Sequence, residues 1–473
     1  MSTARGIAKN FLSLTAANAV SKALGMVTVV YLARVLGVGG FGKINFSLAL
    51  VNYFALFAHS GLNTIGSRAA ARDRAAAPAL INRIITLKLV LGLAAFAALA
   101  VFVLVMKADG DIKTLTLVYG LTMFTANVLP FDWVFQAYEK MEYLSAASVL
   151  QGLVYTGLIL LCVRGGGQLG LVPWLLLAAQ AAACAAMLLA FRRVEPAYSP
   201  RPDLSRPGEL LAQAWPVLAA AVMIIVTLNF PLTLTGFLRG ETEAGWFAAA
   251  NKIPQIFIEA MLAYVFAVFP AAARLHAAEP EKLSRLLNYT MRAVLTVGLP
   301  AAAGLTLLAP GITSLLFGRG FEGAALPLAA LAWTPIVVFS NNLLFHTLWA
   351  AGRQHAVTAV SALQAALTVL FCWLLVPRFG AAGAAFSALG AGLAALVWYY
   401  RSVKKTAAIA AAGFVPRPLA ASAVMCAAVW PLRHSLAAAI PCGALVYAAA
   451  ILLFKGVSRE DLDLLAGALR HKD

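Results

Sequence analysis

The segment GKINFSLALVNYFALFAHSGLNTIGSRAAARDRAAAPALINR, residues 42–83, decides the fold, because its pattern occurs twice in the chain. It contains a long apolar run, then AAAR at residues 69–72, then Pro78 and Arg83 before the next apolar run. The same order and internal spacing return in AAAR at 271–274, Pro280 and Arg285, and Gly245 takes the place of Gly42. Internal repeats are typical of secondary transporters, and we interpret the chain as two halves derived from one unit.

Apolar residues dominate the rest of the chain as well. Its 473 residues are 62% hydrophobic and 12% charged, with a mean hydropathy of +0.85. Apolar runs of about 18 residues or more recur along the whole length, and each is long enough for one helical crossing of a bilayer. The composition therefore predicts an all-α, polytopic membrane protein.

These runs predict about fourteen spans. Their expected bounds are 10–35, 43–66, 81–106, 114–137, 143–163, 169–191, 210–237, 245–270, 287–309, 324–350, 355–376, 381–401, 417–433 and 436–454. Spans 1–6 and 7–12 form the two repeats, and an even number of helices per half makes the repeat parallel. The expected organisation is an N-terminal lobe (1–191), a cytoplasmic linker (192–209), a C-terminal lobe (210–405) and a helix pair with its tail (406–473).

The basic residues are unevenly distributed between alternate loops. The net charge is +17, and most of the 36 Lys and Arg residues fall in loops on one side of the predicted topology. The positive-inside rule places that side, together with both termini, in the cytoplasm. Topology thus accounts for the charge, and we expect no nucleic-acid partner.

The sequence argues against an enzyme. No loop is long enough for a soluble catalytic domain, and no G-x-x-x-x-G-K-[ST] motif for binding ATP phosphates occurs. The five Cys residues lie in apolar runs without metal-ligand spacing, which favours a role in packing. We therefore expect no cofactor and no metal site, and a function carried out within the bilayer.

Polar and charged residues within the spans are the candidate functional residues, because they are costly in a membrane. At 100° per residue, several of them share one face of a predicted helix. These faces hold Asn18 and Lys22 on span 1, then Asn45, Asn52, His59 and Asn63 on span 2, and Lys252, Gln255 and Glu259 on span 8. The repeat aligns Asn52 with Gln255, so the faces of spans 2 and 8 correspond.

Two interpretations of these faces are open. They could line a hydrated cavity between the halves, or they could form the interhelical hydrogen bonds of a packed bundle. Lys22 and Lys252 favour the cavity, because the one evident acidic partner, Glu259, is two helical turns from Lys252. We also expect Pro254 to break its helix locally. Snorkelling accounts for Lys88 near the end of span 3.

Four sequence segments resemble motifs of the polysaccharide transporter family. They are RVLG at 34–37 followed by GFG at 40–42, WVFQAYEKM at 133–141, GRQ at 352–354 and PRFGAAGAA at 377–385. Ala137 stands where the second motif of the family usually has Gly. The motifs extend from span 1 to span 12. Their order and spacing resemble this family of the multidrug/oligosaccharidyl-lipid/polysaccharide flippase superfamily.

The resemblance implies a flippase of the bacterial cytoplasmic membrane. Members of the family move undecaprenyl-diphosphate-linked oligosaccharides by alternating access, for O-antigen, capsule or exopolysaccharide assembly. The implied partners are this lipid-linked substrate, membrane lipids, and polymerase and chain-length proteins, while coupling to a proton or sodium gradient stays open. His59 and Glu259 are the candidate protonation sites for such coupling.

The resemblance also marks individual residues. Related lipid II flippases need basic residues in spans 1 and 8, where this chain has Lys22 and Lys252. Those relatives mostly carry Arg, and they place an acidic residue beside the first one, where Ala23 stands here. Arg34 and Gln136 within the motifs, and Asp132 beside the second motif, are candidates for a gate or an interface.

Two other functions remain as alternatives. A cation-coupled multidrug exporter of the same superfamily would have a cavity rich in acidic and aromatic residues, and the pair Lys22 and Lys252 argues against it. A membrane glycosyltransferase or polymerase would need acidic catalytic residues in a sizeable outer loop. Asp109 and Asp111 lie in such a loop, but it has only a few residues.

Overall fold

The structure, a computed structural model, describes residues 2–59, 61–128, 131–196, 198–278, 280–404, 411–454 and 456. Within these ranges, side-chain surroundings are described except at residues 2–18, 127–128, 260, 262–278, 280, 282 and 411–412. The described part contains helices joined by turns and loops, and no β-strand. Its α-helices are α1 (Ser2–His59), α2 (Leu62–Arg72), α3 (Ala77–Val105), α4 (Gly110–Met123), α5 (Asp132–Ala137), α6 (Met141–Cys162), α7 (Val172–Val194), α8 (Pro207–Arg239), α9 (Glu241–Ala278), α10 (Pro280–Phe317), α11 (Ala325–Leu331), α12 (Thr334–Ala350), α13 (Gln354–Val403), α14 (Ala411–Phe414), α15 (Pro416–Val429) and α16 (Leu436–Leu453).

Nine helical stretches of the described chain are long and apolar enough to cross a membrane. The predicted all-α, polytopic membrane fold is thereby confirmed, whereas the number of fourteen spans stays a prediction. Spans 1 and 2 both lie in α1 and are separated by a non-helical break at Gly37, and spans 11 and 12 both lie in α13 and are separated by a break at Gly380. Span 4 is divided, because a π-helical turn at Phe124–Val128 separates α4 from α5.

Glycines with positive φ mark the breaks in the longest helices. Gly37 in α1 has φ 70° and ψ 178°, and Gly380 in α13 has φ 53° and ψ −130°. Gly240, at φ 85°, separates α8 from α9. L-residues with a Cβ rarely adopt these angles, so glycine is needed at each break. Gly37 and Gly240 are separated by the same number of residues as Gly42 and Gly245, which supports the proposed repeat.

The chain forms two compact units, Met1–Asn229 and Phe230–Asp473. The division falls within α8, downstream of the predicted linker at 192–209. In the first unit, a buried cluster that includes Leu62, Ile84, Trp133 and Phe191 joins α2, α3, α5 and α7. In the second unit, a cluster that includes Leu287, Phe339, Leu344 and Tyr399 joins α10, α12 and α13. The predicted C-terminal pair is present as α15 and α16, which share a buried cluster with Leu308 of α10.

Hydrogen bonds hold the segment between α7 and α8 against the start of α3. The Asn82 side chain donates to the carbonyl of Ser199 at 3.2 Å and accepts from the Tyr198 hydroxyl at 2.6 Å. Farther along, the backbone N–H of Asp203 donates to the Thr86 hydroxyl at 3.0 Å. Arg83, the last residue of the repeated pattern, donates from Nε to the carbonyl of Ser205 at 3.0 Å. The linker therefore follows the surface of α3.

Candidate functional site

The first half of α1 has one packed face and one exposed face. Thr28 hydrogen-bonds Thr156 of α6 at 2.9 Å, and Ser148 of α6 donates to Ser21 at 3.1 Å. Lys22 and Gly25 point away from this contact, since both are exposed and a Cβ on Gly25 would meet nothing within 4 Å. The predicted polar face of span 1 is thus an accessible surface of a helix that is long enough to span the membrane. The Asn18 side chain lies outside the described residues.

The polar residues of the second half of α1 differ in their exposure. Asn52 is exposed, and its amide donates to Oδ1 of Asn229 in α8 at 3.4 Å. Asn45 is 8% exposed and donates to the carbonyl of Phe41 in its own helix at 2.8 Å. The structure therefore buries Asn45 and leaves Asn52 exposed. The two residues are seven apart on one unbroken stretch of α1 and share a helix face, so the difference arises from packing that covers this face at Asn45 and not at Asn52.

In the second unit, α9 carries the face formed by Lys252, Gln255 and Glu259. Gln255 is exposed, whereas Lys252 and Glu259 are half-buried and interact electrostatically. The neighbouring Ile253 and Pro254 are buried. The expected break at Pro254 is wrong, because α9 continues as one helix through it. Proline removes one backbone hydrogen bond, and the packing of α9 on α11 and α12 holds the helix together despite that loss.

Four polar side chains from four helices meet within the first unit. They are His59 of α1, Asn63 of α2, Lys88 of α3 and Asp132 of α5, here called the Asn63 cluster. Lys88 Nζ donates to Asn63 Oδ1 at 3.0 Å, and Asn63 Nδ2 lies 3.5 Å from Asp132 Oδ1 and 3.0 Å from His59 Nε2. Lys88 is 0% exposed, so the snorkelling interpretation of this residue is wrong. Its ammonium group is held inside the unit by the amide oxygen of a neighbouring helix.

The remaining candidates separate into exposed and buried residues. Arg34, one turn before the break at Gly37, and Gln136 on α5 are exposed, and their role as gate or interface stays a prediction. Trp133 of the same motif is fully buried, and a Cβ on Gly66 would lie 2.8 Å from its ring. This motif therefore holds α5 against α2, and it positions Asp132 at the first turn of α5.

Sequence reasoning missed Asn229 of α8, which is the partner of Asn52. It named Asn63 and Lys88 but not their contact, which forms the centre of the Asn63 cluster. Two signals point to this pair. Lys88 interrupts a long apolar run, and Asn63 follows His59 by one helical turn. No group of three or more His, Cys, Asp or Glu residues that could hold a metal ion occurs among the described residues.

Comparison with known proteins adds a family and two relatives. The sequence model of the family described as "Polysaccharide biosynthesis protein" matches residues 7–276, which is more than half of the chain. A protein of Shigella dysenteriae named "Putative O-antigen transporter" is 23% identical over 407 residues, covering 84% of this chain and 100% of the relative. A protein of the same name from Escherichia coli K12 is 21% identical over 341 residues, covering 71% and 81%.

Two solved structures have a similar fold. The lipid II flippase MurJ in an inward closed conformation has a TM-score of 0.76 at 13% identity, with 95% of this chain and 99% of MurJ covered. An inward-facing multidrug resistance transporter of the MATE family, within the MOP superfamily, has a TM-score of 0.60 at 15% identity, with 82% and 96% covered. At these identities the likeness establishes the fold alone.

Proposed function

Because the chain belongs to the polysaccharide biosynthesis protein family, we propose that it moves lipid-linked oligosaccharides across the bacterial cytoplasmic membrane. The substrate class is an undecaprenyl-diphosphate-linked unit for O-antigen, capsule or exopolysaccharide assembly. The two relatives named "Putative O-antigen transporter", which align over most of their lengths, support this proposal. The fold shared with a lipid II flippase also supports it.

The exposed Lys22 on a membrane-length helix is the observation that carries the proposal. A diphosphate cannot cross hydrocarbon unaided, because burial of its charge without compensation is far too costly. A fixed ammonium group replaces part of its hydration through charge-assisted hydrogen bonds. The open space at Gly25 leaves room for a bulky head group on the same face of α1.

Each half of the chain contributes the same types of group. We assign diphosphate binding to Lys22 and Lys252, and binding of sugar hydroxyls to Asn18, Asn52 and Gln255. Amides suit hydroxyl groups because they both donate and accept hydrogen bonds. The lipid tail stays in the bilayer throughout, so the protein needs to shield only the polar head group. The carboxylate of Glu259 offsets part of the positive charge of Lys252.

The fold alone does not distinguish this function from multidrug export, because a multidrug resistance transporter shares it. Charge does distinguish them. An exporter of organic cations would gain from acidic groups on its binding surface, whereas the exposed Lys22 would repel such a substrate. A membrane glycosyltransferase would break and form covalent bonds, and its loss would lead to shortened precursors rather than complete units on the inner leaflet.

The experiment replaces Lys22 in a strain that lacks its own O-antigen or polysaccharide flippase. Lys22→Arg should restore surface polymer, since a guanidinium also binds diphosphate. Lys22→Gln should lose most of it at an equal membrane level, with complete lipid-linked units accumulating on the inner leaflet. Lys107→Gln, which alters an exposed loop lysine, is the matched control and should behave as wild type. Wild-type polymer from Lys22→Gln, or shortened precursors, would contradict the proposal.

A further inference from the structure

The hydrogen bonds of the Asn63 cluster fix the protonation state of His59. Asn63 has one accepting oxygen, which Lys88 Nζ occupies at 3.0 Å. Its amide nitrogen can only donate, and it lies 3.0 Å from His59 Nε2. Nε2 must therefore be an unprotonated acceptor. It follows that the His59 ring is neutral and carries its proton on Nδ1.

Protonation of His59 conflicts with this arrangement. A proton added to the lone pair of Nε2 turns that nitrogen into a donor facing the donating Asn63 amide nitrogen. Rotation of the amide would offer its oxygen to His59, but it would remove the acceptor from Lys88 and turn an N–H₂ group toward the ammonium. Asn63 therefore cannot satisfy a charged His59 and a charged Lys88 at the same time.

The buried surroundings of the cluster make this loss of hydrogen bonds costly. Lys88 is 0% exposed, and water cannot replace an acceptor that it loses. Among the described residues, the charged groups that act on His59 are Lys88 of α3 and Asp132 of α5. Asp132 already lies within 3.5 Å of Asn63 Nδ2, so an added positive charge would draw its carboxylate toward His59. A second proton in the cluster would thus move side chains on several helices.

A movement of side chains at His59 would act on the connection between α1 and α2. It is the last residue of α1, and α2 starts at Leu62. Gly61 between them has φ +71°, and a Cβ there would lie 2.9 Å from Val217 Cβ of α8. The joint between α1 and α2 is therefore closely packed against α8. A change in the Asn63 cluster acts directly on this joint, because His59 and Asn63 flank it.

We propose that His59 is a proton-binding site, and that exchange of its proton through the Asn63 cluster couples a proton gradient to the transport cycle. The inference rests on the proposed function for the cargo and adds the coupling ion. The proton enters from water on one side of the membrane and leaves to water on the other. The Nε2–H bond is the only bond that forms and breaks.

The first test reads the tautomer of His59 on the unaltered cluster. Histidine-selective ¹³C/¹⁵N labelling of the protein in lipid nanodiscs gives ring nitrogen shifts that distinguish Nδ1–H, Nε2–H and doubly protonated rings. The chain has six His residues, so replacement of the other five in turn identifies the His59 signals. We expect the Nδ1–H form at about pH 8, well above the ordinary titration of histidine. An Nε2–H or doubly protonated ring at that pH would overturn the proposal.

The second test measures coupling in proteoliposomes with a lipid-linked oligosaccharide as cargo. A gradient of one pH unit should change the accumulation ratio by up to about tenfold if one proton accompanies each cargo. His59→Gln should lose this response, whereas His346→Gln, a half-buried histidine of α12, should keep it. Transport by His59→Gln that follows the gradient as wild type does, or a response to sodium alone, would refute coupling at this site. Absence of any transport by wild type would instead count against the proposed function, and the tautomer would still decide the state of the cluster.

Discussion

The carboxylate of Glu243 accepts a hydrogen bond from the backbone N–H of Ala381 at 2.8 Å. This contact joins the first turns of α9 to the break in α13, where Gly380 has φ +53°. The helix break leaves the Ala381 N–H without its usual intrahelical acceptor, and the carboxylate replaces that acceptor. The PRFG segment, which begins one of the motifs that resemble the polysaccharide transporter family, therefore lies at this helix break in the second unit.

The first prediction concerns this joint. Gly380→Ala should destabilise the protein, because φ would stay positive and the added Cβ, 2.7 Å from the Glu243 Cδ atom, would displace the carboxylate from the Ala381 N–H. Gly37→Ala would also keep a positive φ, but nothing lies within 4 Å of the added Cβ, so its loss of stability should be smaller. Strain of this kind costs about 1–3 kcal/mol at one residue.

Thermal unfolding in detergent, monitored by fluorescence-detected size exclusion, measures the relative stability of these variants. Gly157→Ala within α6 is the control, because its φ is not positive and a Cβ there meets nothing within 4 Å. It should be neutral or slightly stabilising. Equal melting temperatures for Gly380→Ala and Gly157→Ala would show that the joint is not constrained as described.

The second prediction concerns the linker between α7 and α8. Asn82 binds it through the Ser199 carbonyl, the Tyr198 hydroxyl and the backbone N–H of Arg201. Asn82→Leu should release the segment, and chymotrypsin should then cut after Tyr198 or Leu204 about ten times faster, in line with a loss of about 1–3 kcal/mol. Asn342→Leu, which removes an amide bonded to a carbonyl of its own helix, should leave the rate unchanged. Equal cleavage of wild type and Asn82→Leu would mean that the contacts do not hold the linker.

The third prediction uses the ion pairs of Lys43 with Asp109 at 2.5 Å and Asp111 at 2.8 Å. The hydrogen bond from the Lys43 ammonium holds the pKa of Asp109 below its ordinary value of 3.8. A lowered pKa means that the stabilisation is present above that value and is lost as the pH falls through the folded-state pKa. Lys43→Met should therefore lower the melting temperature at pH 7, and the difference from wild type should shrink toward about pH 3.

Both carboxylates are well exposed, so the effect should be modest and should weaken with salt. Lys107→Met, on the same loop, is the comparison for a general loss of positive charge. A difference in melting temperature between Lys43→Met and wild type that stays constant from pH 7 to pH 3 would argue that the ion pairs of Lys43 contribute nothing to stability.

The fourth prediction separates two roles for Lys252. If it binds diphosphate, Lys252→Arg should keep activity and Lys252→Gln should lose roughly ten- to hundredfold, equivalent to one charge-assisted contact of about 1.5–3 kcal/mol. If it only neutralises Glu259, with which it interacts, the double variant Lys252→Gln/Glu259→Gln should recover much of that loss. Polymer yield at matched membrane levels distinguishes the two, and recovery in the double variant would refute diphosphate binding.

Apolar patterning predicted where most of the helical sequence lies. Helix covers most of each predicted span in the described chain, because an apolar run of this length in a bilayer satisfies its backbone groups only by intrahelical hydrogen bonds. The positions of the helix breaks were harder to predict from the sequence. Proline at 254 was expected to interrupt α9 and does not, whereas Gly37 and Gly380 break α1 and α13. Whether a helix breaks depends on the partner that receives the freed backbone groups, as Glu243 does for Ala381.

The candidate site shows the same limit. Periodicity correctly grouped Lys22 with Gly25 on an accessible face, because both lie on one regular helix. It could not show that packing buries Asn45 while Asn52, seven residues later on the same face of α1, stays exposed. The role of Lys88 depends on Asn63 from another helix, and such a contact is determined by tertiary packing rather than by local sequence.

Reconstitution tests the central claim most directly. The purified protein is placed in liposomes with a fluorescent undecaprenyl-diphosphate oligosaccharide in both leaflets, and an impermeant reagent then measures the fraction accessible from outside. We predict that wild type makes nearly all of the lipid accessible over time, while Lys22→Gln and protein-free liposomes leave the inner-leaflet fraction protected. An inner-leaflet fraction that stays protected with wild type, while the same liposomes transport organic cations, would contradict the account.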